Sequence, residues 1–151
     1  MLRSPYNRTR VTPAPNTEEP TASPLSRQLR ILVVDDDRDS VLTLTMLLQD
    51  EGHDVRAAYS GGSALMVAHH FRPDAVFVDI SLPDISGWEV ARQLASDSST
   101  TPRVLIAVSG VYKKSADKML ARSVGFSHYV TKPYDPPALL ALLDPLIWGE
   151  D

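Results

Sequence analysis

Apolar residues in this chain come in short runs separated by stretches of helical spacing, beginning near Arg30. Ile31-Leu32-Val33-Val34 is a continuous apolar run, which predicts a strand buried on both faces. Val41, Leu44, Thr45 and Leu48, with Met46 and Leu47, follow at the 3.6-residue spacing of a helix that ends near Gly52. Asp54 to Ala58 reads as a shorter, half-polar strand, the kind expected at a sheet edge, and Gly62 to Phe71 as a helix with Ala64, Leu65, Ala68 and Phe71 inward. Arg72-Pro73-Asp74 marks a turn, Ala75 to Val78 a central strand, and Gly87 to Leu94 a helix packed through Trp88, Val90, Ala91 and Leu94. Pro102 closes that unit. Val104-Leu105-Ile106-Ala107-Val108 is the most apolar strand, Ser115 to Val124 a helix capped by Gly125, and Ser127 to Val130 the last strand. Pro136 and Pro137 open a final helix carrying Leu139, Leu140, Leu142 and Leu143, which Pro145 should end or kink.

Five such βα units in about 120 residues, joined by short connections, imply a parallel sheet with helices on both faces. The expected fold is a doubly wound (βα)5, flavodoxin-like three-layer sandwich with strand order 2-1-3-4-5. Residues 1–28 hold five of the twelve prolines and no apolar period, so this N-terminal tail is expected to be disordered. Residues 29–148 then form the domain and fill the chain to its end, so no output domain is expected behind Leu146-Ile147-Trp148.

Composition narrows the chemistry. There is no cysteine, which excludes a disulfide framework and a thiolate metal site. No signal-peptide run and no stretch near the roughly 20 apolar residues of a membrane span occurs, so a soluble cytoplasmic protein without a membrane partner is expected. The net charge of −4 is uneven: residues 1–30 carry five Arg against Glu18 and Glu19, leaving 10 basic and 17 acidic residues, or −7, for residues 31–151. An acidic body argues against nucleic-acid binding by the folded part.

The strand ends carry the candidate site. Val33-Val34 runs into Asp35-Asp36-Asp37, Val76-Phe77-Val78 into Asp79, Ala107-Val108 into Ser109-Gly110, and Val130-Thr131 into Lys132-Pro133. In a doubly wound sheet these ends share one edge, beside the switch point between the first and third strands. Crowded carboxylates repel unless a cation answers them, and a hard divalent ion, Mg2+ or Mn2+, suits Asp35, Asp36, Asp79 and the peptide carbonyl of Ser81. A carboxylate beside such an ion can attack phosphorus and form an aspartyl phosphate. Lys132 would balance phosphate charge, and Ser109 would donate to a phosphoryl oxygen.

Together, Ile31 to Asp37, Val78 to Gly87, Ser109 and Thr131-Lys132-Pro133 resemble the response-regulator receiver domain of two-component signalling, chemotaxis-regulator-like and single-domain, over about residues 29–147. The resemblance implies Asp79 as phosphoacceptor, Asp35 and Asp36 as the metal-binding acid pair, Ser109 as switch hydroxyl and Lys132 as the phosphate-contacting lysine. It also implies Tyr129 as the switch aromatic and a cis bond at Lys132-Pro133. Ser109 stands where Thr is commoner, Gly110 leaves room for a phosphoryl group, and Ser81 and Val111 occupy positions that modulate autodephosphorylation in the family. The partners it implies are a histidine kinase or histidine phosphotransfer protein and an unknown downstream protein.

Simpler readings stand beside these. Asp37 or Asp39 caps the first helix, Asp84 is a turn residue, and His53, His69, His70 and His128 lack ligand spacing and read as structural. Lys113, Lys114 and Lys118 read as a solvated helix face. Asp35, Asp37 and Asp39 imitate an EF-hand start, but Ser40 and Met46 stand where Gly and Glu are required. Two alternative functions remain: a haloacid-dehalogenase-type phosphatase built on Asp35-Asp36-Asp37, which lacks the later acidic pair, and an unphosphorylated receiver-like adaptor, which would not need the complete set.

Overall fold

A computed structural model describes residues 27–110 and 115–149, the side chains of 115–118 excepted. The readings placed on residues 1–26, Val111, Lys113, Lys114 and the Lys118 side chain lie outside the described residues. Five parallel strands, β1 (Arg30–Val34), β2 (Asp54–Ala58), β3 (Ala75–Asp79), β4 (Val104–Ser109) and β5 (His128–Thr131), stand in the order β2-β1-β3-β4-β5. They alternate with α1 (Arg38–Asp50), α2 (Gly61–Phe71), α3 (Gly87–Ser96) and α4 (Ser115–Ser123), and the chain finishes with α5 (Pro136–Ala141) and α6 (Asp144–Ile147).

The period of two along a strand divides the core into two layers. Leu32, Val34, Val76, Val78, Leu105 and Ala107 face Ala64 and Ala68 of α2, Val90, Ala91 and Leu94 of α3, and Ala121 of α4. Ile31, Val33, Ala75, Phe77, Ile106 and Val108 face Val41, Leu44 and Leu48 of α1 and Leu139, Leu143 and Leu146 near the C-terminus. All five residues of β3 are buried, whereas β2 alternates and lies at the edge, as its half-polar composition predicts. Leu29 is tied down by His53, whose Nδ1 accepts the Leu29 amide at 3.1 Å. The ring proton must then sit on Nε2, and burial holds the imidazole pKa below its ordinary value, which is the structural role its sequence context suggests.

The last helix is shorter than its leucine spacing predicts: α5 stops at Ala141, Leu142-Leu143 form the break, and Pro145 stands in the first turn of α6. A proline ring clashes with the carbonyl four residues back and cannot donate to it, so the helix ends before Pro145 and restarts with proline where no donor is needed. Leu139 and Leu143 stay buried across the break, while Leu140 and Leu142 are half-buried.

Candidate functional site

The pairing of β1 with β3 sets Val34 against Val78, which carries the next residues, Asp35 and Asp79, to neighbouring positions at the C-terminal edge of the sheet. Both are buried, at 5% and 8% exposure, and Asp36 beside them is exposed. Each buried carboxylate is held by a backbone amide two residues on: Asp35 Oδ1 accepts from Asp37 at 3.0 Å, and Asp79 Oδ1 from Ser81 at 3.1 Å. Asp37 does not join them; it caps α1, accepting the Asp39 amide and the Ser40 hydroxyl. Lys132 arrives from the end of β5, where its amide donates to the Ser109 carbonyl at 2.8 Å. Its Nζ lies 2.7 Å from Asp35 Oδ2 and 3.8 Å from Asp79 Oδ2. Ser109, the last residue of β4, is wholly buried, and the Lys132-Pro133 bond is cis.

One ammonium does not balance this cluster. Asp79 is pushed up to about 6, first by burial, which disfavours its charged form, and then by the Asp35 charge, against the pull of the Ser81 amide and Lys132. Burial works to lower Lys132, but its hydrogen bond to Asp35 and the charges of Asp35, Asp79 and Asp37 outweigh that and leave it above its ordinary value. Ligand oxygens of Asp35, Asp36 and Asp79 lie within 4.8 Å of one another. An octahedral magnesium ion holds neighbouring ligands about 3 Å apart and opposite ones about 4.2 Å apart, so the three carboxylates would have to draw together around such an ion, with the exposed Asp36 side open to its waters. The excess of negative charge and the oxygen-only donor set both suit a hard divalent cation.

The raised Asp79 gives a stability prediction. Its folded pKa of about 6 exceeds the ordinary 3.8, so ionisation favours the unfolded chain, and the penalty is absent below pH 3.8 and complete above pH 6. Metal-free Asp79→Asn protein should therefore be more stable than the parent by about 1–3 kcal/mol above pH 7. That advantage should fade towards pH 4. Urea unfolding of both proteins at pH 7.5 and pH 4 checks this, and a difference independent of pH would refute it.

Tyr129 takes another place. It pairs in register with Ala107, and its ring packs in the layer covered by α2, α3 and α4, 6.4 Å from the ring of Trp88, which meets Phe126 edge-on at 5.8 Å. Tyr134 is not singled out in the sequence, and Asp84 and Gly87 read there only as a turn residue and as part of the Val78 to Gly87 stretch. Tyr134 lines a cavity of about 20 Å³, with room for one water, together with Asp35, Asp79 and Lys132. Asp84 accepts the Gly61 and Gly62 amides, both at 2.8 Å, and is more than a turn residue. Gly87 packs directly on the Asp79 carbonyl. The glycine itself was the available signal there; nothing local marks Tyr134 or Asp84.

Residues 31–144 match the family described as the response regulator receiver domain. The chain belongs to that family. This receiver is 34% identical to PilH of Pseudomonas aeruginosa over 120 residues, 80% of this chain and 98% of that protein. It is 38% identical over 112 residues to the DNA-binding response regulator MtrA of Mycolicibacterium smegmatis, matching 74% of this chain but 47% of MtrA. The chain thus spans about half the length of that relative. Among solved structures, the chemotaxis protein CheY4 of Vibrio cholerae superposes with a TM-score of 0.74 at 25% identity, covering 80% of this chain and 100% of that one. The family match sets aside the phosphatase reading. The receiver domain is a module of two-component signalling that works with histidine kinases or phosphotransfer proteins and generally binds Mg2+ at an acidic pocket. Among the described residues no helix is long and apolar enough to cross a membrane.

Proposed function

We propose that this receiver, residues 29–148 of the chain, accepts a phosphoryl group on Asp79 from a histidine kinase or histidine phosphotransfer protein in the cytoplasm and passes the signal on by protein contact. The observation that carries this reading is the convergence of Asp35, Asp36 and Asp79 at one strand edge with Lys132 Nζ between the two buried carboxylates. In the transfer, a carboxylate oxygen of Asp79 attacks phosphorus, the P–O bond forms as the P–N bond to the donor imidazole breaks, and the imidazole leaves with the electron pair and takes up a proton. Asp79 must be ionised to attack, and with a pKa of about 6 it is so at neutral pH. Lys132 is placed to take the negative charge of a phosphoryl oxygen, and the Ser109 hydroxyl supplies a second donor. The missing side chain at Gly110, where a Cβ would stand 3.9 Å from the Lys132 stem, leaves space beside them.

Asp35, Asp36, Asp79 and the Ser81 carbonyl would hold Mg2+ or Mn2+; when bound, the ion supplies the countercharge that three carboxylates and a phosphoryl group require. Tyr129, in the layer next to Trp88 and Phe126, would report the change to a downstream protein. Incubation with magnesium and a small acyl phosphate should add one phosphoryl mass by intact-mass spectrometry. Asp79→Asn protein should gain none, and a variant that still gains it would overturn the site.

A further inference from the structure

The segment between β3 and α3, residues 80–86, carries Ser81 two residues after Asp79 and is mostly exposed. Its base is fixed by backbone bonds: the Ile80 amide donates to Val108 and the Gly87 amide to Ile80. Farther out, Asp84 accepts the Gly61 and Gly62 amides at 2.8 Å each and so ties the loop to α2. The neighbouring Ile85 packs on the same turn so closely that a Cβ at Gly61 would overlap its side chain. A charged and an apolar side chain, adjacent in sequence, therefore clamp the loop to the first turn of α2.

Helix capping alone does not account for the arrangement. Ser60 already caps α2, its Oγ accepting the Ser63 amide at 3.2 Å. Asp84 adds two further charge-assisted bonds at the positive end of the helix, and these amides hold its carboxyl at about 2, ionised throughout the physiological range. Pro83, with its fixed φ, stands in the three-residue path from Asp84 back to Ser81, so little slack separates clamp and carbonyl. Resting on the metal site proposed above, we propose that Asp84 is a positioning residue for that site: by clamping the β3–α3 loop to α2 it sets the place of the Ser81 carbonyl and with it the affinity for magnesium.

Magnesium affinity by calorimetry, and the initial rate of modification by a small acyl phosphate across a magnesium titration, are measured for the parent, Asp84→Ala, Asp84→Asn and Ser86→Ala. Asp84→Ala should raise the magnesium Kd ~10-fold, the low end for an outer-shell partner because it acts through backbone. Its rate should return to within about twofold of the parent at saturating magnesium, since no reacting atom is touched. Asp84→Asn keeps the shape and one acceptor and should show a smaller rise; if Asp84→Ala does not fold cooperatively, this variant decides. Ser86→Ala removes the cap of the adjacent α3 and should lower the melting temperature while leaving Kd unchanged, separating position from stability. An unchanged Kd in a folded Asp84 variant overturns the proposal while leaving the metal site standing. A parent that binds no magnesium at millimolar concentration overturns both.

Discussion

Lys132→Ala protein should take up phosphoryl groups from a small donor about 10²-fold more slowly than the parent, the usual loss when one preorganised donor to a developing oxyanion is removed. The same substitution should destabilise the metal-free fold by about 2–3 kcal/mol at pH 7.5. Nζ is 2.7 Å from Asp35 and 3.8 Å from Asp79, and both carboxylates are buried, so its removal leaves two like charges without a partner. The cost falls short of a fully buried pair because the lysine side chain is 26% exposed. Asp79, already about 6, would move further up, which makes the sign definite: the loss is largest above that pKa and shrinks as the pH falls and the carboxyl takes a proton. Magnesium should restore much of the stability and none of the rate, since the ion answers the carboxylates but does not replace the ammonium beside the phosphoryl oxygens. Unfolding curves with and without magnesium, beside phosphorylation kinetics, test both halves. A rate within twofold of the parent would remove Lys132 from the mechanism.

Gly87→Ala should cost about 3 kcal/mol, the upper end for overpacking, and should impair phosphorylation as well. A Cβ there would stand 2.5 Å from the Asp79 carbonyl oxygen and 2.7 Å from Ile80 Cα. Both are backbone atoms of buried residues, the last of β3 and the one after it, so no side-chain rotation relieves the overlap. The Gly87 amide also donates to the Ile80 carbonyl at 2.9 Å, so the helix start cannot retreat without breaking that bond. Gly61 offers the contrast: its Cβ would meet the Ile85 side chain, which can rotate, and Gly61→Ala should cost less than Gly87→Ala. Thermal melts of the two variants compare them, and the reverse order would show that the β3–α3 junction is softer than its backbone contact implies.

The element pattern was legible in the chain because each βα unit announces itself locally. The run Ile31 to Val34 suits a strand covered on both faces, and the half-polar alternation in Asp54 to Ala58 suits an edge. The last helix stops earlier than its leucine spacing would carry it, because leucine spacing says which residues can be buried, whereas the backbone rule at Pro145 says how far a helix can continue. Asp35, Asp36, Asp79, Ser109 and Lys132 were legible as candidates because they follow apolar runs, and strand ends of such sheets face one crevice.

The order of strands and helices along the chain, the two apolar faces of the sheet, and the polar residues that end the strands could all be read from the residues alone. Those follow from periodicity and chain direction, which are local. It took the folded chain to show that Lys132 meets Asp35 across 97 residues, that Asp84 reaches back to Gly61 and Gly62, that Gly87 lies against the Asp79 carbonyl, and that Tyr129 packs with Trp88. The reason is physical: distances between groups far apart in the chain, and the burial that lifts Asp79 to about 6, exist only once register and packing bring the segments together.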